Sequence, residues 1–458
     1  MKLPGSPDLL PVLRKERCQG CTHCIRACPT EAIRIRHGKA EVMPHRCVHC
    51  GRCIQICPRD AWEMRSDSLE KVKREGEALA VLDSTVFWQF GGQTSPRAVA
   101  EAFLEMGFSA VQDLGEALRI YGAEVSGYLS SRGRPFPAIG SACPAVVQLV
   151  QVKYPSLLEN LVPIVSPLKI MASRQKDIGT GNLPKRSYYI VPCLAQAGAA
   201  TEPLEKGKRI YGAISFAHLF NPLKAILSRK GTAPGASPGS EPSPFAMKWA
   251  AAGGESEALG TPGSLIVDGI AQVANVLELA ESGLLEDVPF IEAWACTAGC
   301  LGGSLTIQDP FVARYHLRTW VQNHEGRGKE AHGGKVSVDL DRFRLSRPFN
   351  PRGGMRLDDN LKVAMEKLRQ IDEVVKKLPG IDCGSCGCPN CLALAEDIVQ
   401  GHAGENDCLY LLKRRHIKIE GEKPFKVPTP PKKRILNDGK KNKNLSGRGY
   451  PDEVKRLS

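Results

Sequence analysis

Two stretches of this chain, "RCQGCTHCIRACP" and "HRCVHCGRCIQICP", set Cys18, Cys21, Cys24, Cys28 and Cys47, Cys50, Cys53, Cys57 at one spacing, C-x2-C-x2-C-x3-C-P. No hydrophobic pattern in the sequence constrains the fold as tightly. Two residues between successive thiols let a tight loop wrap three corners of a compact iron–sulfur cube. A structural zinc would also take four thiolates, but two full copies each ending in Cys-Pro favour iron. The chain has 17 cysteines among 458 residues, an odd number held in tight groups. That excludes a complete disulfide framework and predicts metal ligation in a reducing, cytoplasmic setting. The N-terminus has no apolar core or small-residue cleavage site, and no run reaches the length of a bilayer span. Neither a secretory signal nor a membrane helix is expected.

The spacing is that of bacterial two-cluster ferredoxins, which residues 14–66 resemble throughout. The resemblance implies an α+β module in which the fourth cysteine of each run serves the other cluster. Cys18, Cys21, Cys24 and Cys57 would hold one 4Fe–4S cluster. Cys47, Cys50, Cys53 and Cys28 would hold the other. The intervening "TEAIRIRHGKAEVMPH" suits a short helix and a hairpin, and residues 1–13 read as a flexible leader. Such modules relay single electrons at low potential.

Strand-like and helix-like segments alternate from about residue 76 to 345, which predicts an α/β domain. "ALAVLDSTVFW", "RSYYIVPC", "GSLIVDGI" and "VPFIEAWAC" read as strands. "SPRAVAEAFLEMGF" reads as a helix with Ser95 as N-cap, Pro96 in the first turn and Gly107 near the stop. "IAQVANVLELAESG" reads as another, closed by Gly283. Residues 229–263, rich in Gly, Pro, Ser and Ala, predict a flexible insertion. A small helical, cysteine-rich unit is expected at 372–415, and a basic disordered tail at 416–458. The formal charge of +13 falls to about +5 once ligand cysteines count as thiolates around iron–sulfur cores. Much of the remainder sits in the tail, without aromatic interleaving, so nucleic acid is not an expected partner.

Four cysteines remain in the central domain. Cys143 in "GSACPAV" and Cys193 in "VPCLA" read alone as small buried hydrophobes. Cys296 and Cys300 lie in "EAWACTAGCLGG", where Gly299, Gly302 and Gly303 would admit a bulky ligand or make a turn. Spacing alone leaves both open. Taken in order behind a two-cluster module, the three segments resemble the three signatures of the FeFe-hydrogenase catalytic domain, over most of 76–345. "VVQLVQVKYPSLLENLVPIVSPLKIMA" and "LTIQDPFVARYHL" look most like its sensory-type branch. The resemblance implies that Cys143, Cys193, Cys296 and Cys300 hold a 4Fe–4S cluster. It also implies that Cys300 bridges to a two-iron centre carrying CO and cyanide.

The chain departs from the catalytic pattern at four positions. Ala142 stands where a cysteine relays protons, and a methyl group carries none. Gln196 stands where a lysine hydrogen-bonds a cyanide, so a donor remains without charge assistance. Ala199 replaces an acid and Trp294 a methionine. The four-thiol site is complete, and its expected two-iron neighbour is altered on several sides.

Near the C-terminus, Cys383, Cys386, Cys391 and Cys408 follow C-x2-C-x4-C-x16-C, with Cys388 spare and "CLALAEDIVQG" a helix. The pattern resembles a small 4Fe–4S domain of redox-complex subunits and corrinoid-linked proteins, although four thiolates also suit zinc. Two functions follow. One is a sensory or slow FeFe-hydrogenase-like protein that binds or oxidises hydrogen and passes electrons through its clusters to a redox protein or a separate signalling protein. The other is a non-catalytic electron-transfer or cluster-assembly protein without the two-iron centre, as in a hydrogenase-related eukaryotic family of assembly factors.

Overall fold

The structure, a computed structural model, describes residues 11–131, 136–174, 184, 186–201, 210–230, 242–324, 343–345 and 349–416. It is an α/β protein with a small α+β module at one end of the chain and a helical unit at the other. No helix among the described residues is long and apolar enough to cross a membrane.

The central domain is built on two parallel sheets. Four strands lie in the order Ala110–Asp113, Ala78–Leu82, Arg186–Val191, Gly212–Ser215. Three more lie in the order Leu265–Asp268, Phe290–Trp294, Ala138–Ile139. The run "ALAVL" is buried on both faces, as a central parallel strand requires. Its side chains alternate between two cores. Leu79 and Val81 pack with Ile120, Tyr121 and Val125, whereas Ala80 and Leu82 pack with Val99, Phe103 and Leu223. Tyr189 and Tyr188 split the same way on the neighbouring strand. The second sheet buries Ile139, Ile291 and Ala293 against helices Pro144–Lys153 and Ile270–Glu281.

The helix Pro96–Glu105 begins where the sequence places it, with Ser95 Oγ accepting from the Ala98 N–H at 3.1 Å. Such a cap contributes about 1 kcal/mol. "ALAVLDSTVFW" is a strand only as far as Leu82. Asp83 then caps a 3-10 helix, Ser84–Trp88, through the Thr85 N–H.

Two expectations change. Residues 242–263 are not a flexible insertion. They form helices Pro244–Lys248 and Gly254–Leu259, with Ala246, Met247, Trp249 and Glu255 buried. The loop-like composition consists of caps and turns: Ser243 caps one helix, and Gly253 and Gly260 take left-handed φ values at the ends of the next. The expected leader 1–13 is also shorter, because Val12–Leu13 pair antiparallel with Trp62–Glu63. Residues 1–10 of that leader, 231–241 of the insertion and 417–458 of the tail lie outside the described residues.

In the N-terminal module, Ile33–Arg36 and Lys39–Val42 make a hairpin, and His23–Ala27 and Arg52–Ile56 are the short helices that follow the first cysteines of each run. The hairpin turn places His37 and Gly38 at φ 50° and 72°, the left-handed pair of a two-residue connection. The C-terminal unit starts earlier than residue 372. Helix Leu361–Lys377 buries Ile371 and Val374 against helix Cys391–Val399, with Leu357 in the same core.

Candidate metal centres and an adjoining cavity

The parallel strands deliver their carboxyl ends to one region, where ligands gather in open α/β sheets. Cys143 follows Ala138–Ile139 and precedes helix Pro144–Lys153. Cys193 follows Arg186–Val191, and Cys296 follows Phe290–Trp294. Cys300 lies on the 3-10 turn Gly299–Gly302. All four line one void of about 380 Å³, and Cys50 of the N-terminal module completes its wall.

Burial pushes the Cys193 thiol up to about 12, with Cys143 adding to it. Burial likewise raises Cys143, and raises Cys296 and Cys300 well above the usual thiol range. Four thiols that oppose one another's ionisation become thiolates only around a strong positive charge. An iron–sulfur core supplies that charge, so the residues fit such a group. Among the described residues, no three His, Cys, Asp or Glu side chains converge closely enough to share one metal ion. A cube takes one thiolate at each of four separate corners.

The glycines beside Cys300 take the second of the two expected uses, a turn, over Gly299–Gly302. A Cβ on Gly299 would lie 2.6 Å from the Ala252 nitrogen, and those on Gly302 and Gly303 would overlap the carbonyls of Thr297 and Pro192. These glycines admit neighbouring backbone, and Gly299 and Gly303 also line the four-thiol void.

In the N-terminal module, burial pushes Cys24 up to about 11, and Cys21, Cys18 and Cys57 add to the shift. Burial pushes Cys47 up to about 12 with Cys28 beside it, and raises Cys53 with Cys50, Cys47 and Cys28 beside it. In the C-terminal unit, Cys383 is exposed, Cys386 and Cys391 are half-buried and Cys408 is buried. Cys388 is fully buried, with its Sγ 3.4 Å from Asp397 Oδ2. A hydrogen bond between the Cys386 and Cys388 thiols pulls Cys386 down and pushes Cys388 up.

A second cavity, of about 540 Å³, adjoins the four-thiol void and shares Pro144, Gln196, Trp294 and Cys300 with it. Ala142 and Ala199 also line it, so every position at which the sequence departs from the catalytic pattern faces this one space. Gln196 Nε2 donates to Cys300 Sγ at 3.7 Å. Tyr189 donates its hydroxyl to Asp83 Oδ2 at 3.0 Å and also contacts the Gln196 amide oxygen. One phenolic proton cannot serve both acceptors, so carboxylate and amide compete for it. Burial, then Asp83, pushes the Tyr189 phenol well above its usual range, so it keeps its proton.

Trp294 is pinned. Its Nε1 donates at 2.6 Å to Glu292, whose other oxygen accepts the Ser256 N–H at 2.7 Å. Two more donors on the cavity wall, Ser166 Oγ and Trp249 Nε1, are buried without a hydrogen-bond partner among the described residues. Orphaned buried donors on a cavity wall suit a group that carries acceptor ligands.

Sequence reasoning missed Asp83, Tyr189, Ser166 and Trp249. For Asp83 a signal existed: an acid directly after a fully apolar parallel strand stands at the ligand-binding end of the sheet. Trp249 was hidden inside the supposed insertion.

Residues 80–263 match the family model of the iron only hydrogenase large subunit, C-terminal domain. Residues 10–58 match a 4Fe-4S dicluster domain, and residues 378–410 a putative Fe-S cluster domain. The chain is a hydrogenase-like iron–sulfur protein. No curated protein matches this hydrogenase-like chain. Among solved structures, similar ones are an FeFe-hydrogenase HydA(deltaEFG) from a study of H-cluster assembly and an FeFe-hydrogenase from a study of oxygen inactivation. The first is 18% identical over 53% of this chain and 84% of its own, with a TM-score of 0.41. The second is 17% identical over 62% and 97%, with a TM-score of 0.43. A variant of HydA1 from Chlamydomonas reinhardtii is 17% identical over 54% and 86%, with a TM-score of 0.41.

Proposed function

We propose that this hydrogenase-like protein binds hydrogen and oxidises it slowly in the cavity beside Cys300, in the manner of a sensory FeFe-hydrogenase. Its electrons would leave through four 4Fe–4S clusters to a redox protein or a separate signalling protein. The observation that carries this reading is the cavity itself. It opens from the four-thiol void at Cys300 and is walled by Ala142, Gln196, Ala199 and Trp294.

A two-iron CO and cyanide group, when bound there, would supply the hydrogen chemistry. Cys300 would hold it, and Gln196, Ser166 and Trp249 offer the donors that acceptor ligands need. Trp294, fixed by Glu292, limits the space. Ala142 offers no proton, and Tyr189, held by Asp83, is a weak acid that gives up its own reluctantly. Proton removal then limits the rate, which suits a sensor better than a producer of hydrogen.

Infrared spectroscopy of anaerobically matured protein tests the reading. Bands for CO and cyanide are expected. Their absence with the iron–sulfur clusters loaded would sink it and leave the non-catalytic electron-transfer reading. The Ala142→Cys variant restores a proton-bearing group, and its hydrogen turnover should rise about 10²-fold or more, the usual contribution of a positioned acid or base.

A further inference from the structure

The two ends of the N-terminal module touch different partners. On one side, the loop that carries Cys47, Cys50 and Cys53 abuts the four-thiol void. Cys50 lines that void. Gly51, at φ +72°, has no room for a Cβ against Ser304, and Gln55 Nε2 donates to the Gly302 carbonyl at 2.8 Å. On the other side, the loop that carries Cys21 and Cys24 abuts the C-terminal unit. A Cβ on Gly384, the residue after Cys383, would lie 3.3 Å from the Thr22 side chain. Arg26 Nη2 donates to the Cys383 carbonyl at 2.9 Å, and Ile35 N–H donates to the Gly387 carbonyl at 2.8 Å.

The outer contact is held by a buried clamp. Arg34 makes two bonds to the Asp397 carboxylate, at 2.8 and 3.0 Å, and both side chains are 5% exposed. Arg36 reaches the same carboxylate at 2.5 Å, and Arg46 pairs with Glu396 at 2.9 Å. A bidentate guanidinium–carboxylate pair fixes orientation as well as distance. The C-terminal unit is therefore seated in one pose, with its cysteine loop against the first cysteine loop of the module.

We propose that the C-terminal unit is the outermost station of a single electron path, and that electrons enter and leave the protein there. The order in space is Cys383, Cys386, Cys391 and Cys408; then Cys18, Cys21, Cys24 and Cys57; then Cys28, Cys47, Cys50 and Cys53; then Cys143, Cys193, Cys296 and Cys300. It differs from the order in sequence, because the last cysteines of the chain stand first in the path. Cys383 is the one exposed cysteine of the 17, so a one-electron carrier protein meets this station before any other. One electron leaves the reduced carrier and enters the C-terminal cluster, with no bond made or broken and no proton moved. This inference rests on the iron–sulfur reading of the cysteine groups and not on the two-iron centre.

The test uses reconstituted full-length protein and a chemically reduced bacterial ferredoxin as carrier. In the fully reduced wild type, the electron paramagnetic resonance signals of the C-terminal and first N-terminal clusters should broaden each other. In Cys383→Ala/Cys386→Ala, the protein should lose one cluster's iron. Its stopped-flow reduction by the carrier should slow by about tenfold or more, on the scale over which association rates vary among variants of one interface. Dithionite, small enough to reach the other clusters, should reduce the three that remain at the wild-type rate. Non-interacting signals in the wild type, an unchanged carrier rate, or unchanged iron content (a C-terminal site holding zinc) would each overturn the proposal. The wild-type measurement needs no variant to fold. Missing infrared bands would end the hydrogen reading and leave this one standing.

Discussion

The two faces of the N-terminal module are built on opposite physics. Its inner face meets the central domain through close packing and hydrogen bonds: Gly51 against Ser304, Gln55 on the Gly302 carbonyl, His49 on Gln148, and Cys50 set into the wall of a void. Its outer face meets the C-terminal unit through charge, with three arginines of one hairpin region on two adjacent acids of one helix. Packed contacts fail when something is added, and charge contacts fail when a partner is taken away. A small module that must hold two neighbours in fixed pose uses one device for each, so the two contacts can be disturbed separately.

The comparison breaks most visibly at Asp397. Asp397→Ala strands the buried Arg34 and half-buried Arg36 guanidiniums, at a cost of about 3–5 kcal/mol. Urea denaturation should show the loss, and small-angle scattering should show the C-terminal unit leaving the module. An unchanged midpoint and radius would mean that charge does not hold this face. Gly51→Val acts on the inner face by overpacking, in a left-handed backbone position as well, and should cost about 1–3 kcal/mol. Thermal unfolding should register that loss while scattering shows the outer face intact.

The smallest effect is in pH. Burial works to raise the Asp397 carboxyl, but the hydrogen bond and charge of Arg34 outweigh it and hold the group below the usual carboxylate range. A folded value below the unfolded one of about 3.9 stabilises at higher pH, and that stabilisation is lost as pH falls through the folded value. Each unit of difference is worth about 1.4 kcal/mol. Scattering on acid titration should therefore show the outer face undocking only below about pH 3.9. Undocking near neutrality would refute the assignment to Asp397.

What the sequence revealed divides along the range of the interactions. The N-terminal module was legible because its cysteines, its hairpin turn and its short helices are all local in the chain. Four of the seven parallel strands were legible from their apolar runs, whereas Ala110–Asp113, Ala138–Ile139 and Gly212–Ser215 are too short to stand out. Cys143, Cys193, Cys296 and Cys300 could be grouped only through resemblance, because no periodicity joins positions on separate strands. Residues 242–263 misled because glycine and serine at helix ends look like loop composition until the buried Met247 and Trp249 are seen. The outer face could not be read at all. Arg34 and Arg36 pass for solvent-facing charges of a hairpin, and the acid that claims both lies more than 350 residues away.

Cys50 gives the four-thiol void a wall borrowed from another domain. Such a chamber is finished only when the module seats itself, much as a jar is finished by its stopper. A substitution that shifts the module therefore reshapes the four-thiol site as well, without touching any of its four cysteines.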